Sequence, residues 1–166
     1  MLLVGGASTR FGSPKALARL GGATLAVRAW RTLGEACDER IAVGKSEDAL
    51  DLPFPVLDDG VPQRAAIHGL VAGLRAARHD IAVVIPVDLP FLSASSLLEL
   101  AAACRDAAVP PSGPLPGAYR KSALPSLVTG ELSIKRAIGD LDVAIVDLDP
   151  TQLVNVNRPE DLERLR

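Results

Sequence analysis

The chain has 166 residues, 48% hydrophobic and 23% charged, with 18 basic and 20 acidic side chains and a formal net charge of −2. That balance predicts one folded domain, residues 1–166, with enough chain for a single sizeable core. It lacks the basic field of a nucleic-acid binder, and its longest apolar run, Ile81–Val87, is too short to span a membrane.

The first expected strand, Met1–Val4, runs into a loop from Gly5 to Lys15 that holds Gly5, Gly6 and Gly12. Glycines let bare N–H groups approach a ligand closely, and successive N–H groups form a concave nest for anionic oxygens. Arg10 can fork across two phosphate oxygens while Lys15 adds a compact point charge, so a polyphosphate is the natural ligand. Walker A and the Rossmann G-x-G-x-x-G are both excluded by the glycine spacing and by Ala16 after Lys15. The competing reading is a glycine-rich surface loop with solvated cations. Two cations in one glycine loop, directly after an apolar strand, weigh against it.

Further along, Leu25, Ala29, Trp30 and Leu33 share a helical face. Strands are expected at Arg40–Val43 and Pro55–Leu57, the second followed by Asp58 and Asp59. Two adjacent acids after a strand are commonly solvated turn residues. Ile67, Leu70, Val71 and Leu74 make the next helical face, and Ile81–Val87 reads as a buried central strand that delivers Asp88 to its end. A lone carboxylate there suits Mg²⁺, which takes few protein oxygens and fills its shell with phosphates and water. Asp88 could instead cap a turn or the following helix, but Ser93 or Ser95 can do that alone. Pro86 is unusual inside a strand because it cannot donate to the ladder.

Leu97, Leu98, Ala101 and Ala102 form a third helical face, followed by a strand at Ala107–Val109. The proline-rich stretch Pro110–Pro116 reads as a loop feeding the substrate side. A last strand is expected at Val143–Val146. Alternation in Val154-Asn155-Val156-Asn157 puts both asparagines on one side of an extended segment. Pro159 opens a helix that Asn157 could cap, which would leave Asn155 unexplained. His68 and His79 read as structural. Cys37 and Cys104, without C-x-x-C spacing, read as buried small apolar residues of a cytoplasmic protein.

Apolar runs alternating with helical periodicity argue an α/β fold with a mainly parallel sheet. In such sheets ligands bind beyond the carboxyl ends of the strands, which is where each candidate residue falls.

The order G-G-x-S-x-R-F-G-x-x-K-A from Gly5 to Ala16 resembles the signature of the molybdenum cofactor guanylyltransferases, within the nucleotide-diphosphosugar transferase-like superfamily. The likeness covers essentially the whole chain. Asp88-Leu89-Pro90-Phe91-Leu92 resembles the family's metal-binding segment, and Asn155 to Leu162 resembles its N-[VI]-N-[TR]-P-E-[DE]-L. Pro114 to Arg120 resembles a segment beside its acceptor pocket. The resemblance implies a three-layer Rossmann-like sandwich of the nucleotide-diphosphosugar transferase type. It implies that Val4, Gly5, Gly6, Ser8, Arg10, Lys15, Asp59 and Asp88 hold the nucleotide. Tyr119, Arg120, Asn155 and Asn157 would meet the acceptor, and Arg10, Lys15 and Asp88 would carry catalysis with Mg²⁺ on Asp88.

The implied substrates are GTP and molybdopterin, with transient contacts to proteins that deliver or accept molybdopterin, and neither nucleic acid nor membrane as partner. Several positions depart from the pattern. Val87 stands where relatives often have Cys, Leu70 replaces a proline, and Gly44 stands where guanylyl relatives often place an asparagine. The rival readings are a cytidylyltransferase, another transferase acting on a phosphorylated small molecule, and a non-catalytic nucleotide-binding module.

Overall fold

The computed structural model describes residues 1–5, 11 and 13–165. In chain order its elements are β1 (Leu2–Leu3), β2 (Arg19–Leu20), β3 (Ala23–Thr24), α1 (Leu25–Ala36), β4 (Ala42–Gly44), β5 (Val56–Asp58), α2 (Ala66–Ala76), β6 (Ile81–Pro86), α3 (Ala94–Ala103), β7 (Ala107–Val109), β8 (Gly117–Arg120), α4 (Leu124–Leu127), α5 (Ile134–Ala137), β9 (Val143–Ile145) and α6 (Pro159–Arg164). The main sheet has seven strands in the order β5-β4-β1-β6-β8-β7-β9, and β2 and β3 form a separate antiparallel hairpin.

β1 is short yet central. Leu2 and Leu3 pair in parallel with Ala42 and Val43 on one side and with Ile85 and Pro86 on the other. β4 with β5 and β7 with β9 are also parallel, while β8 runs against both its neighbours, β6 and β7. The strands expected at Ala107–Val109 and Ile81–Val87 form there, the second ending at Pro86. Those near residues 40 and 55 sit one or two positions later than expected. Pro86 is tolerated because β8 begins at Gly117, opposite Val84, so no β8 acceptor lies alongside the missing donor.

Period-two alternation separates two cores. Leu2, Val83 and Ile85 pack with Leu33 of α1 and with Leu97 and Leu100 of α3. Leu3, Val43, Val84 and Tyr119 pack with Ile67, Leu70 and Leu74 of α2 and with Leu127 of α4. The result is three layers, and each fully buried leucine or isoleucine stabilises it by about 1.5–3 kcal/mol. Thr24 caps α1 by accepting from the Val27 N–H at 3.2 Å, and Ser93 caps α3 by accepting from Ser96 at 3.2 Å.

One helical face is corrected. Leu97 and Leu100 point into the core, whereas Leu98, a helical step of roughly 100° from Leu97, is exposed. The strand β8 and the hairpin of β2 and β3 were not expected, since both are short and flanked by glycine or proline. Cys104 is buried and Cys37 half-buried; both are free thiols whose pKa burial raises. Among the described residues no helix is long and apolar enough to cross a membrane.

Candidate active site

Two groups of residues collect at the carboxyl end of the sheet. The first surrounds Asp88, two residues past the end of β6. Its Oδ2 lies 3.2 Å from the Lys15 ammonium, which also lies 3.4 Å from Asn157 Oδ1. Lys15 opens a short 3₁₀ turn, Lys15–Leu17, and Asn157 lies on the extended segment before α6. That segment is pinned to the β6 end because the Val156 N–H donates to the Asp88 carbonyl at 2.9 Å. A small cluster of Phe11, Leu20, Leu25, Val156 and Leu162 fixes these stretches against one another. Positions 15, 88 and 157 therefore meet through packing that has no local sequence signal.

The competing roles for these residues go to other groups. Ser93 caps α3, so Asp88 is not spent on it. Asp161 accepts from the backbone N–H groups of Asn157 and Arg158 at 2.8 and 2.9 Å, and these bonds lower its pKa. The start of α6 is thus served by Asp161, not by the Asn157 side chain, which faces Lys15. Asn155 is exposed, and Val156 between the two asparagines is buried.

The second group forms a pocket of about 210 Å³ at the ends of β1, β4 and β5, lined by Gly5, Gly44, Lys45 and Asp59 together with Ala66 and Gly69 of α2. A side chain at Gly44 would meet Val4 Cγ2 at 2.9 Å and Val56 Cγ1 at 3.2 Å, so glycine lets the three strand ends close up. The two adjacent acids have separate fates. Asp58 is exposed and accepts from the Ser46 hydroxyl and N–H and from the Gly60 N–H, which hold its pKa at about 2. It ends β5 and holds the turn that follows. Asp59 instead lines the pocket, its own N–H bonded to the Gly44 carbonyl at 3.1 Å.

Lys45, which the sequence reading passed over, is the partner of Asp59. It is only 7% exposed, and its ammonium donates to Asp59 Oδ1 at 2.7 Å, to the Gln63 carbonyl at 3.0 Å and to the Val61 carbonyl. Its signal in the sequence was its position, directly after an apolar strand end, as for Asp59 and Asp88. At the rim, Arg64 grips Glu47 at 2.7 Å and both carboxylate oxygens of Asp48.

The remaining expected residues fall as follows. Val4 is 5% exposed with its side chain in the core, so only its backbone can face a ligand. Gly5 lines the pocket. Gly6, Ser8 and Arg10 lie outside the described residues. Tyr119 and Arg120 lie apart from both groups. Because β8 is antiparallel, Arg120 pairs with Ile81 at the opposite end of β6 from Asp88, and its guanidinium bonds Asp80. Tyr119 is fully buried in the α2-side core, with its hydroxyl donating to the Pro114 carbonyl. The Pro110–Pro116 loop does lie at the carboxyl end, between β7 and β8.

Residues 1–142 match the MobA-like NTP transferase domain. A probable molybdenum cofactor guanylyltransferase of Chloroflexus aggregans is 34% identical, over 98% of this chain and 90% of the relative. Among solved structures, a nucleotidyl transferase from Methanothermobacter superposes with a TM-score of 0.82 at 21% identity, covering 99% of this chain and 94% of that one. Molybdopterin-guanine dinucleotide biosynthesis protein A from Archaeoglobus fulgidus gives 0.79 at 24% identity, with coverage of 99% and 94%. At those identities the structural likeness speaks for the fold.

Proposed function

This chain belongs to the MobA-like NTP transferase domain family, and from that premise we propose that it transfers GMP from GTP to molybdopterin and releases pyrophosphate. The observation that carries the reading is the meeting of Lys15, Asp88 and Asn157 beside a pocket at the ends of β1, β4 and β5. A triphosphate lying along the carboxyl end of the sheet would place its base in that pocket and its phosphates against Lys15 and Asp88.

In the reaction an oxygen of the acceptor's terminal phosphate attacks the α-phosphorus of GTP. The bond from that phosphorus to the bridging oxygen breaks, and pyrophosphate leaves. The nucleophile is an anion supplied by the substrate, so the protein's work is positioning and charge neutralisation. Lys15 offsets phosphate charge, and Asn157 holds the ammonium toward it. Asn155 and Asn157, on one side of their segment, offer amides to the acceptor's phosphate.

The residues present fit a divalent cation. Asp88 follows β6, the middle strand of the sheet, with its side chain 23% exposed, and a hard cation needs few protein oxygens when phosphates complete its shell. Among the described residues no cluster of three acidic, histidine or cysteine side chains forms, so Asp88 would be its carboxylate ligand. Mg²⁺ held there would neutralise charge on the triphosphate. The two free thiols accord with a reducing compartment, so the reading is of a cytoplasmic enzyme.

The deciding experiment measures pyrophosphate release from each of the four NTPs, with and without molybdopterin and Mg²⁺. Release that requires GTP and the pterin is the expected result. Preference for CTP would make it a cytidylyltransferase, and NTP binding without release would make it a nucleotide-binding module.

A further inference from the structure

Lys45 is a buried cation at the floor of the pocket, and its chemistry is fully spent inside the protein. An ammonium has three donors. Here they meet Asp59 Oδ1, the Val61 carbonyl and the Gln63 carbonyl. Although it sits at a strand end beside Gly5, where a phosphate-binding lysine would also sit, it has no donor left for a nucleotide. Its three acceptors all lie on residues 59–63, so it staples that loop to the end of β4.

The staple fixes one carboxylate in a defined pose. Asp59 Oδ1 takes both the ammonium and the Val61 N–H at 3.0 Å. Its other oxygen makes no hydrogen bond among the described residues, and the side chain is 5% exposed in the pocket wall. A buried ion pair costs desolvation that an apolar pair would avoid, so its presence in a pocket wall calls for a use. With its charge met from behind by Lys45, Asp59 is the one carboxylate among the described residues of a pocket wall that also holds Gly5, Gly44, Ala66 and Gly69, with Arg64 at its rim.

We propose that Lys45 is a positioning residue that sets base selectivity through Asp59, favouring a purine whose ring edge presents N–H donors over one whose edge presents an acceptor. The inference rests on the reading that this pocket takes the base of the NTP. Guanine places donors at N1 and its exocyclic amine, whereas adenine carries an acceptor at N1, and the two are alike in size. Without the ammonium, the Asp59 carboxylate loses its anchor and the loop its staple. The acceptor is then no longer aimed at the base.

The test is titration calorimetry of GTP and ATP, each with Mg²⁺, against the full chain and three variants: Lys45→Met, Asp59→Asn and the double variant. Lys45→Met should weaken GTP by about tenfold or more, a loss on the scale of an oriented bond to a charged group. ATP should change little, so the GTP/ATP ratio collapses. In the Asp59→Asn background, adding Lys45→Met should leave the GTP/ATP ratio unchanged, since Lys45 sets selectivity only through that carboxylate. Retention of the wild-type ratio in Lys45→Met overturns the proposal, as does a further change of that ratio in the double variant beyond Asp59→Asn. If Lys45→Met does not fold, the double variant, which leaves no unpaired buried charge, decides against Asp59→Asn alone. A wild-type protein that binds GTP and ATP equally would instead overturn the assignment of the base, which separates the two failures.

Discussion

The two halves of the sheet carry similar apolar strands but very different chemistry. On the β5-β4-β1-β6 side every strand is parallel, and each ends on the same edge of the molecule, at Asp59, Lys45, Gly5 or Asp88. On the β8 side one reversed strand breaks the rule, and its polar residues go elsewhere. Arg120 lands at the amino end of β6 against Asp80, and the Tyr119 hydroxyl turns back to the chain's own Pro114 carbonyl. A polar residue after an apolar run is a site residue only if its strand points at the site. Direction, which no local motif encodes, separates the two cases.

The sharpest way to break this comparison is at Asp88. Asp88→Asn keeps the shape and removes the charge just past the end of β6, the middle strand of the sheet, where preorganised electrostatics count most. A loss of ~10²–10³ in turnover is expected, with thermal stability close to wild type. Nucleotidyl transfer measured against Mg²⁺ concentration checks it. Superimposable curves for the two proteins would show that the carboxylate takes no part.

Lys15→Ala comes next. The ammonium lies 3.2 Å from Asp88 and 3.4 Å from Asn157, so on the proposed function its loss removes a charge that would face the phosphates while the buried cores stay intact. GTP affinity should fall by about tenfold, the usual scale for one charge-assisted contact. Unchanged affinity and turnover in a folded variant would remove Lys15 from the site.

How far these roles were legible depends on what each residue needed from the rest of the chain. The glycine loop with Lys15, the apolar run ending at Asp88, and the alternating asparagines are local patterns, and the described part of each reaches the expected edge. Asp58 and Asp59 could not be told apart by composition. What separates them is that Ser46 engages Asp58 at the surface while Lys45 draws Asp59 into the pocket wall. Lys45 follows an apolar strand end, but its partnership with Asp59 exists only because β4 and β5 pair with Gly44 opposite Asp58. No strand was expected at Gly117–Arg120, which follows the proline-rich loop Pro110–Pro116, and its reversed direction is a property of the sheet.

Tyr119 sharpens the other half of the comparison. If its work is internal, Tyr119→Phe should cost about 1 kcal/mol for the bond to Pro114. Affinities for GTP and for the acceptor should be unchanged. Burial also holds the phenol protonated far above its ordinary range. A folded-state pKa raised above the unfolded one makes this contribution complete below about pH 10 and lost as pH climbs beyond it. Wild type should therefore weaken in alkaline denaturation, and Tyr119→Phe should weaken less steeply. Parallel slopes for the two proteins would argue against a buried phenol.

The smallest effect is expected at Arg120, which the resemblance had placed at the acceptor. Its guanidinium bonds Asp80, the Arg105 carbonyl at 2.8 Å and the Cys104 carbonyl at 3.4 Å. The arginine and aspartate side chains are 35% and 60% exposed, so solvent screens the pair. Pairs of that kind contribute ~0–1 kcal/mol. Arg120→Gln should thus lower the melting temperature by no more than about 2–4 °C in a chain of this size. It should leave the acceptor's KM where it was, because the residue lies a strand's length from Asp88. A raised acceptor KM with an unchanged melting temperature would be the opposite pattern. It would mean that the acceptor reaches around to the amino end of β6, and that strand direction does not divide the sheet into a working edge and a supporting one.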